Sequence, residues 1–173
     1  MRKVILMRHA KSSWDDPRLD DHDRPLNGRG KRAAPAMARW LTSRGHLPGQ
    51  ILWSSSTRTR ATVKLMRRTV PDLPSPRIAC ALYHAAPDTM LGYLRDAPED
   101  VDTVMLVGHQ PGLGALTRML TGGQPPRRCA RAFEEFPTAA AAVLEIDVPG
   151  WAVLDYCTAR FVDFAKPREL LDA

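Results

Sequence analysis

The stretch Val4-Ile5-Leu6-Met7-Arg8-His9-Ala10 joins a short apolar run to an arginine and a histidine. The run from Lys3 to Met7 is continuous and apolar, which predicts a buried central β-strand. Open α/β sheets bind ligands beyond the carboxyl ends of their strands, and here a fixed cation and a titratable nucleophile follow the strand. A histidine after a strand is, taken alone, more typical of a hydrogen-bonded loop residue, so its meaning depends on the rest of the chain.

Predicted helices alternate with further predicted strands. Asn27 stands at the N-cap of a helix that should end near Gly45, and Ser54-Ser55-Ser56-Thr57 precedes a second helix. A third helix should run from Pro87 or Asp88 to about Asp96, and a fourth should stop before Gly122. Strands are predicted at 51–53 and 103–107, with an extended piece around 78–83.

The C-terminal part is predicted to contain a long irregular link and a hairpin. The link runs from Gln124 to Pro137. Two strand-like runs, 141–148 and 151–157, flank the turn signal Pro149-Gly150 and could pair at one edge of the sheet. The alternation predicts a single domain over residues 1–173, built as a three-layer α/β/α sandwich with a mostly parallel central sheet and an antiparallel edge strand.

The composition is that of a soluble globular protein, with 44% hydrophobic and 25% charged residues in a chain of 173. No apolar run approaches the ~20 residues that span a bilayer, and the N-terminus does not read as a secretory signal, so we expect a cytoplasmic protein without a membrane partner. The three cysteines form no C-x-x-C pair, which suggests neither a disulfide framework nor a zinc site. The formal net charge of +6 favours attraction to anions in general and does not indicate a particular anion.

Arg8, His9, Arg58 and His109 all stand at or just beyond predicted strand ends. The carboxyl ends of parallel strands point the same way, so these side chains can converge. Two guanidinium groups, two imidazoles and a helix N-terminus describe a site for a tetrahedral, doubly charged anion such as a phosphoryl group. Neutral imidazole is a competent nucleophile near pH 7, which makes phosphoryl transfer to a histidine possible.

These residues resemble the histidine phosphatase superfamily, also called the phosphoglycerate-mutase-like fold. The resemblance lies in Arg8-His9-Ala10, in the run from Ser54 to Thr62, and in Val107-Gly108-His109-Gln110-Pro111. The short chain, the run from Asp23 to Asn27 and the closing segment 161–170 resemble most the SixA-type phosphohistidine phosphatase branch.

The resemblance implies that His9 attacks phosphorus and carries a covalent phosphoryl group. It implies that Arg8, Arg58 and His109 bind the phosphoryl oxygens and stabilise the transition state, with no metal or other cofactor. Ala10 departs from the family's usual glycine. A second departure is that larger relatives supply a glutamate as general acid where this chain has Tyr83-His84-Ala85-Ala86.

The missing glutamate bears on the substrate. An alkoxide leaving group needs a positioned proton donor, worth ~10²–10⁴ in rate, whereas an imidazole leaving group can be protonated near pH 7. A phosphoramidate is therefore the substrate least affected. Alternatively the acidic loop, residues 11–26, could close and supply a proton from Asp15 or from one of Asp20, Asp21 and Asp23, with Tyr83 and His84 as weaker candidates. Charge runs are usually solvated, so we expect these carboxylates, and the histidines at 22, 46 and 84, to be surface or loop residues.

The sequence thus predicts a metal-independent phosphatase that acts on a phosphorylated protein or a small phosphorylated metabolite. The alternatives are a small-molecule phosphomonoesterase, a non-catalytic module that binds a phosphorylated ligand, and a nucleic-acid-binding module. Dispersed arginines, 6% aromatic residues and the lack of a nucleic-acid-binding motif argue against specific nucleic-acid binding. No cysteine begins a C-x₅-R pattern and no P-loop occurs. The oligomeric state is not predicted.

Overall fold

Apolar strands build one six-stranded sheet in the computed structural model, which describes residues 1–123 and 125–172. The strands follow one another across the sheet in the order β3-β2-β4-β1-β5-β6. Their bounds are β1 Arg2–Arg8, β2 Gln50–Trp53, β3 Arg77–Ile78, β4 Thr103–Gly108, β5 Ala141–Ile146 and β6 Ala159–Ala165. The strands β1 to β4 are mutually parallel, whereas β5 runs antiparallel to both β1 and β6.

Six helices in the described part of the chain cover the two faces of the sheet. They are α1 Gly28–Ser43, α2 Thr57–Thr69, α3 Pro87–Arg95, α4 Gly112–Leu120, α5 Ala130–Glu135 and α6 Pro167–Leu171. Helices α1 and α2 pack on the face that contains Ile5 and Met7, and α3, α4 and α5 pack on the face that contains Val4 and Leu6. Because successive side chains of a strand point to opposite faces, the continuous apolar run of β1 fills both cores. The predicted three-layer sandwich is confirmed.

The predicted N-cap and the predicted end of the first helix are both confirmed. The Asn27 side chain accepts a hydrogen bond from the Gly30 N–H at 2.9 Å, as an N-cap does. The helix ends at Ser43, and Gly45 follows with a φ of +68°, a conformation that favours glycine.

The C-terminal third differs from the prediction in three respects. The segment before β5 contains a 3₁₀ turn and α5, which buries Phe133, although Gln124 itself lies outside the described residues. The run 151–157 is not a strand, because Trp151 is buried in a 3₁₀ turn where its indole N–H donates to the Val101 carbonyl at 2.8 Å. The partner of β5 is instead β6, so no tight hairpin turns at Pro149-Gly150. The predicted antiparallel pairing at the sheet edge is nevertheless present.

The predicted extended piece around 78–83 is also mostly wrong. Strand β3 covers only Arg77–Ile78, and a 3₁₀ turn over Cys80–Leu82 follows it. Leu82 is buried, which fixes the segment that continues to Tyr83 and His84.

The acidic loop is closed at its base by backbone pairing. The Ser13 N–H donates to the Pro25 carbonyl at 2.8 Å, and the Asn27 N–H donates to the Lys11 carbonyl at 3.0 Å. The two ends of the loop therefore lie together beside the carboxyl end of β1. A 3₁₀ turn at Asp21–Asp23 forms the far part of the loop and contacts α2.

Within the described residues, no helix combines the length and the apolar character that crossing a membrane requires.

Gly112 allows α4 to pack closely on the segment that follows Tyr83 and His84. A Cβ atom at Gly112 would lie 2.2 Å from the Ala85 carbonyl oxygen, so we expect Gly112→Ala to lower the free energy of unfolding by about 1–3 kcal/mol. Gly92, inside α3, has no heavy atom within 4 Å of such a Cβ, and Gly92→Ala should raise stability by up to about 1 kcal/mol. Urea unfolding of both variants measures this difference, and equal stabilities would contradict the packing argument.

Candidate active site

Three neighbouring strand ends bring the predicted site residues together. Arg8 ends β1 and His9 follows it, His109 follows β4, and Arg58 lies in the first turn of α2 after β2. Strand β4 lies between β1 and β2 in the sheet, so the three ends are adjacent. His9, Arg58 and His109 are all buried, with exposed fractions of 6%, 2% and 4%.

Backbone hydrogen bonds extend the sheet into the site. The His9 N–H donates to the Gly108 carbonyl at 3.0 Å, and the Ser54 N–H donates to the Val107 carbonyl at 3.2 Å. The rings of His9 and His109 consequently lie side by side, with their centroids 5.1 Å apart.

The hydrogen bonds of His9 define its tautomer. Its Nδ1 lies 2.7 Å from the Ala10 carbonyl oxygen, which can only accept, so Nδ1 carries the proton. The Arg58 Nε–H donates to His9 Nε2 at 3.2 Å, which requires a lone pair on that nitrogen. His9 therefore presents an unprotonated Nε2, the form in which imidazole is a nucleophile.

Arg58 links the histidines to the acidic loop. Its Nη2 donates to Asp21 Oδ2 at 2.9 Å and lies 3.4 Å from His109 Nδ1, and its Nη1 donates to the Asp21 carbonyl. Thr62 holds Arg58 in this position, because the Thr62 hydroxyl donates to the Arg58 carbonyl at 2.7 Å and accepts a hydrogen bond from the Ala10 N–H at 3.0 Å. The start of α2 and the end of β1 are thus joined through one side chain.

His109 is held by hydroxyl groups from the start of α2. Its Nε2 lies 2.6 Å from Ser54 Oγ and 3.5 Å from Thr59 Oγ1. Ser56, the N-cap of α2, contacts Thr59 Oγ1 at 2.7 Å and completes this buried hydroxyl cluster. Because a hydroxyl can donate or accept, Ser54 is compatible with either neutral tautomer of His109.

Arg24 is a site residue that the sequence analysis did not single out, although it lies in the run 23–27 that carries part of the resemblance. Its guanidinium stacks on the Trp14 ring, 3.4 Å from the ring centroid, and its Nη2 pairs with Asp21 Oδ1 at 3.1 Å. Its Nε and Nη1, and the Nε of Arg8, are buried without a hydrogen-bond partner among the described residues. Such donors cost ~1–3 kcal/mol each when unsatisfied, and oxygens of a bound anion can accept from them.

Burial and positive charge keep both site histidines neutral. Burial is the main cause that lowers the pKa of His9 to about 3, and the charges of Arg58, Arg8 and Arg24 lower it further. The hydrogen bond to the Ala10 carbonyl acts in the opposite direction and raises this pKa. Burial also lowers the pKa of His109 to about 2, together with the neighbouring His9 and Arg58. A pocket with this electrostatic environment favours a negatively charged ligand.

Asp21, one of the predicted proton donors, reaches the site from the acidic loop, and its side chain remains 42% exposed, as expected of a loop carboxylate. Burial alone would raise its pKa, but hydrogen bonds from Tyr83 at 2.5 Å, from His84 at 3.1 Å and from Arg58 hold that pKa well below its ordinary range. Asp21 is therefore an anion at neutral pH. The protons at this end of the site lie on its neighbours.

Tyr83 and His84 form the rim of the site on the side of α3. The Tyr83 ring meets the His109 ring edge-on at 5.3 Å, and the His84 ring stacks on it at 5.2 Å. Burial and the hydrogen bond to Asp21 raise the pKa of Tyr83, so it is a neutral donor at pH 7. His84 has a φ of 52°, an uncommon left-handed conformation for a residue with a side chain. The expectation of a surface or loop role for His84 missed these contacts.

The structure does not bring Asp15 into this cluster. Asp15 lines a separate cavity of about 360 Å³ at the base of the acidic loop, beside Asn27 and Lys31. Of the remaining histidines, His22 contacts Ser55 at 2.9 Å and its ring meets the Tyr83 ring edge-on at 5.0 Å. His46 lies in a loop, as expected, but is buried beside Asp163. Across residues 1–123 and 125–172, histidine, cysteine and acidic side chains form no cluster of three that could hold a metal ion.

The chain is similar to known proteins over most of its length. Residues 4–77 match the family model of the histidine phosphatase superfamily (branch 1). An uncharacterized protein of Mycobacterium tuberculosis is 39% identical over 166 residues, which cover 94% of this chain and 100% of that protein.

Two solved structures share the whole architecture. SixA from Agrobacterium tumefaciens matches with a TM-score of 0.80 and 30% identity, over 96% of this chain and 98% of that chain. The protein histidine phosphatase SixA complexed with tungstate matches with a TM-score of 0.79 and 25% identity, over 97% of this chain and 99% of that chain.

The neutral histidines predict acid sensitivity of the fold. Between pH 7 and pH 5 the unfolded chain binds protons on His9 and His109, whose ordinary pKa is 6.5, and the folded chain does not. Since the unfolded state then binds more protons, stability falls with decreasing pH, by about 2 kcal/mol per histidine at pH 5. Urea unfolding at both pH values in phosphate-free buffer measures the loss. A His9→Asn, His109→Asn double variant should lack this part of the pH dependence, and an unchanged dependence would contradict the assignment.

Proposed function

The chain belongs to the histidine phosphatase superfamily, in its SixA-like branch, and is a phosphatase, and we propose that it hydrolyses phosphohistidine carried by a protein. The observation that carries the proposal is the unprotonated His9 Nε2 inside a pocket of buried arginines. Tungstate, an oxyanion of phosphate shape, is bound in one of the similar SixA structures, and this supports an oxyanion as the occupant.

His9 is the proposed nucleophile. Its Nε2 attacks the phosphorus atom, a bond from phosphorus to His9 forms, and the bond to the leaving nitrogen breaks. The hydrogen bond from Nδ1 to the Ala10 carbonyl stabilises the positive charge that the His9 ring gains in this step. Water then attacks the phosphoryl-histidine, releases phosphate and returns the neutral imidazole.

Arg8, Arg58 and His109 are the proposed ligands of the phosphoryl oxygens, and we propose Arg24 as a further one. The unsatisfied Nε of Arg8 and the Nε and Nη1 of Arg24 supply donors that the protein itself leaves unused. Arg58 Nη2 already faces both His109 and Asp21, so a phosphoryl group would compete with the carboxylate for it. Donors fixed in advance around the position of developing charge are the main source of catalysis in phosphoryl transfer.

The proton requirement favours a phosphorus–nitrogen bond in the substrate. Asp21 is ionised, and Tyr83 is a weak acid whose proton is committed to Asp21. An imidazole leaving group has a reference pKa of ~6.5 and departs without help from a strong acid.

Hydrolysis of a small phosphate ester is the second candidate. It is favoured by the cluster of Asp21, Tyr83 and His84 at the rim, because two of its members carry protons within hydrogen-bond distance of one carboxylate. Asp15, the third predicted donor, would require a movement of the acidic loop to take part.

A substrate panel tests the proposal. Phosphohistidine peptide should be hydrolysed with a kcat/KM at least ~10²-fold above phosphoserine peptide and sugar phosphates, the factor that a missing general acid costs an ester. His9→Ala should abolish turnover and Arg58→Ala should lower it ~10²–10³-fold. Arg60→Ala, an exposed position two residues further along α2, should retain turnover within a few-fold. Turnover by folded His9→Ala would exclude the covalent mechanism.

Tyr83→Phe separates the two candidate substrates. It removes the hydroxyl proton and keeps the ring that packs on His109. We expect phosphohistidine hydrolysis to remain within about threefold, because no proton from Tyr83 is needed, whereas a general acid contributes ~10²–10⁴. Asp15→Asn, in the acidic loop and outside the cluster around Asp21, serves as the control. A loss of a hundredfold or more on phosphohistidine with Tyr83→Phe would assign the proton donor to Tyr83.

A further inference from the structure

A basic groove of about 680 Å³ lies beside the site, between α1, α6 and the segment that follows α5. Its charged lining consists of five cations and two carboxylates: Lys11, Arg29, Arg32, Lys166, Arg168, Glu135 and Asp172. The groove therefore concentrates positive charge far beyond the average of the chain, which has 25 cationic and 19 acidic residues.

Three of the five groove cations are not neutralised by the described residues, whereas Lys166 pairs with Glu169 at 3.5 Å and Arg168 pairs with the lining Asp172 at 3.6 Å. Lys11, Arg29 and Arg32 are exposed, and none of them forms an ion pair with a carboxylate of the described residues. One of the two lining carboxylates, Glu135, pairs at 3.6 Å with Arg131, which does not line the groove. The groove is thus open to charges from another molecule.

The groove begins next to the proposed nucleophile. Lys11 follows His9 by two residues, and the N–H of Ala139, the residue after the lining Thr138, donates to the His9 carbonyl at 2.9 Å. A polypeptide whose phosphorylated side chain enters the site would therefore bring its neighbouring residues to the groove.

We propose that this groove binds an acidic segment adjacent to the phosphorylated residue of a protein substrate. The inference rests on the proposed phosphohistidine function, and it adds a preference for one class of substrate sequence. The unpaired cations come from separate positions along the groove, namely the residue after Ala10 and the first turns of α1. Several spaced carboxylates match this distribution, whereas a single second phosphate would need the cations to converge on one point.

Exposed ion pairs of this kind contribute little each and are screened by salt. Their combined effect should appear in KM and in the association rate, and should leave the chemical step in the buried site unchanged. The groove thus affects which protein substrate binds and does not affect the rate of the chemical step.

Paired variants and paired peptides test the groove. One phosphohistidine peptide carries Asp and Glu around the histidine, the second carries Asn and Gln, and the phosphoramidate ion is the small substrate. Lys11→Gln, Arg29→Gln, Arg32→Gln removes three groove cations. The matched control Arg39→Gln, Lys64→Gln, Arg68→Gln removes three exposed cations that do not line the groove and form no ion pair among the described residues.

At low ionic strength we expect wild type to bind the acidic peptide with a KM about tenfold below that of the neutral peptide. The groove variant should lose this difference and the control variant should keep it, while kcat/KM for phosphoramidate stays within twofold in all three proteins. Added salt should reduce the preference.

Equal KM values for the two peptides on wild type, or an equal loss of the KM difference in the control variant, would overturn the groove proposal and leave the proposed function standing. Fluorescence anisotropy with the unphosphorylated peptides keeps the two proposals separate. Groove-dependent binding of the acidic peptide without hydrolysis of any phosphohistidine would reject the proposed function alone. Tighter groove-dependent binding of a single-stranded DNA oligonucleotide than of the acidic peptide would also overturn the proposal.

Discussion

The site depends on one hydrogen bond, from the Arg58 Nε–H to His9 Nε2. A buried cation that donates to an imidazole nitrogen opposes protonation of that nitrogen and fixes the orientation of the ring. The lone pair becomes free to attack only when this hydrogen bond is released. The same guanidinium faces His109 and the loop carboxylate of Asp21. Its position therefore reinforces the neutral state that burial imposes on both histidines, and it attaches the loop.

Burying the Arg58 guanidinium in the site costs free energy, and contacts with the surrounding fold offset that cost. The parallel strands place their carboxyl ends side by side, and the hydroxyl of Thr62 joins α2 to the residue after His9. Asp21 supplies one negative charge against Arg58 and Arg24. This leaves an excess of positive charge and unsatisfied donors, the arrangement that a dianion completes.

The sequence predicts the centre of the site well because its residues are fixed by local rules. His9 and His109 directly follow apolar strands, and Arg58 sits just inside a capped helix, so strand order alone brings them together. The sequence offers Asp21 and His84 only among several candidate proton donors and does not single out Arg24, because the folding of the acidic loop and of the segment before α3 decides where these side chains lie. Trp151 is an example from the fold. Its apolar sequence neighbourhood predicts a strand, but the hydrogen bond from its indole N–H to the Val101 carbonyl holds it in a 3₁₀ turn.

The closed base of the acidic loop has a consequence for how such enzymes diversify. Its ends are paired with each other beside β1, so the residues between them add little to the sheet or to either core. Insertions or exchanges within the loop would change which group meets Arg58 while the nucleophile keeps its geometry. Substrate range can thus evolve, or be engineered, through one replaceable segment on an unchanged scaffold.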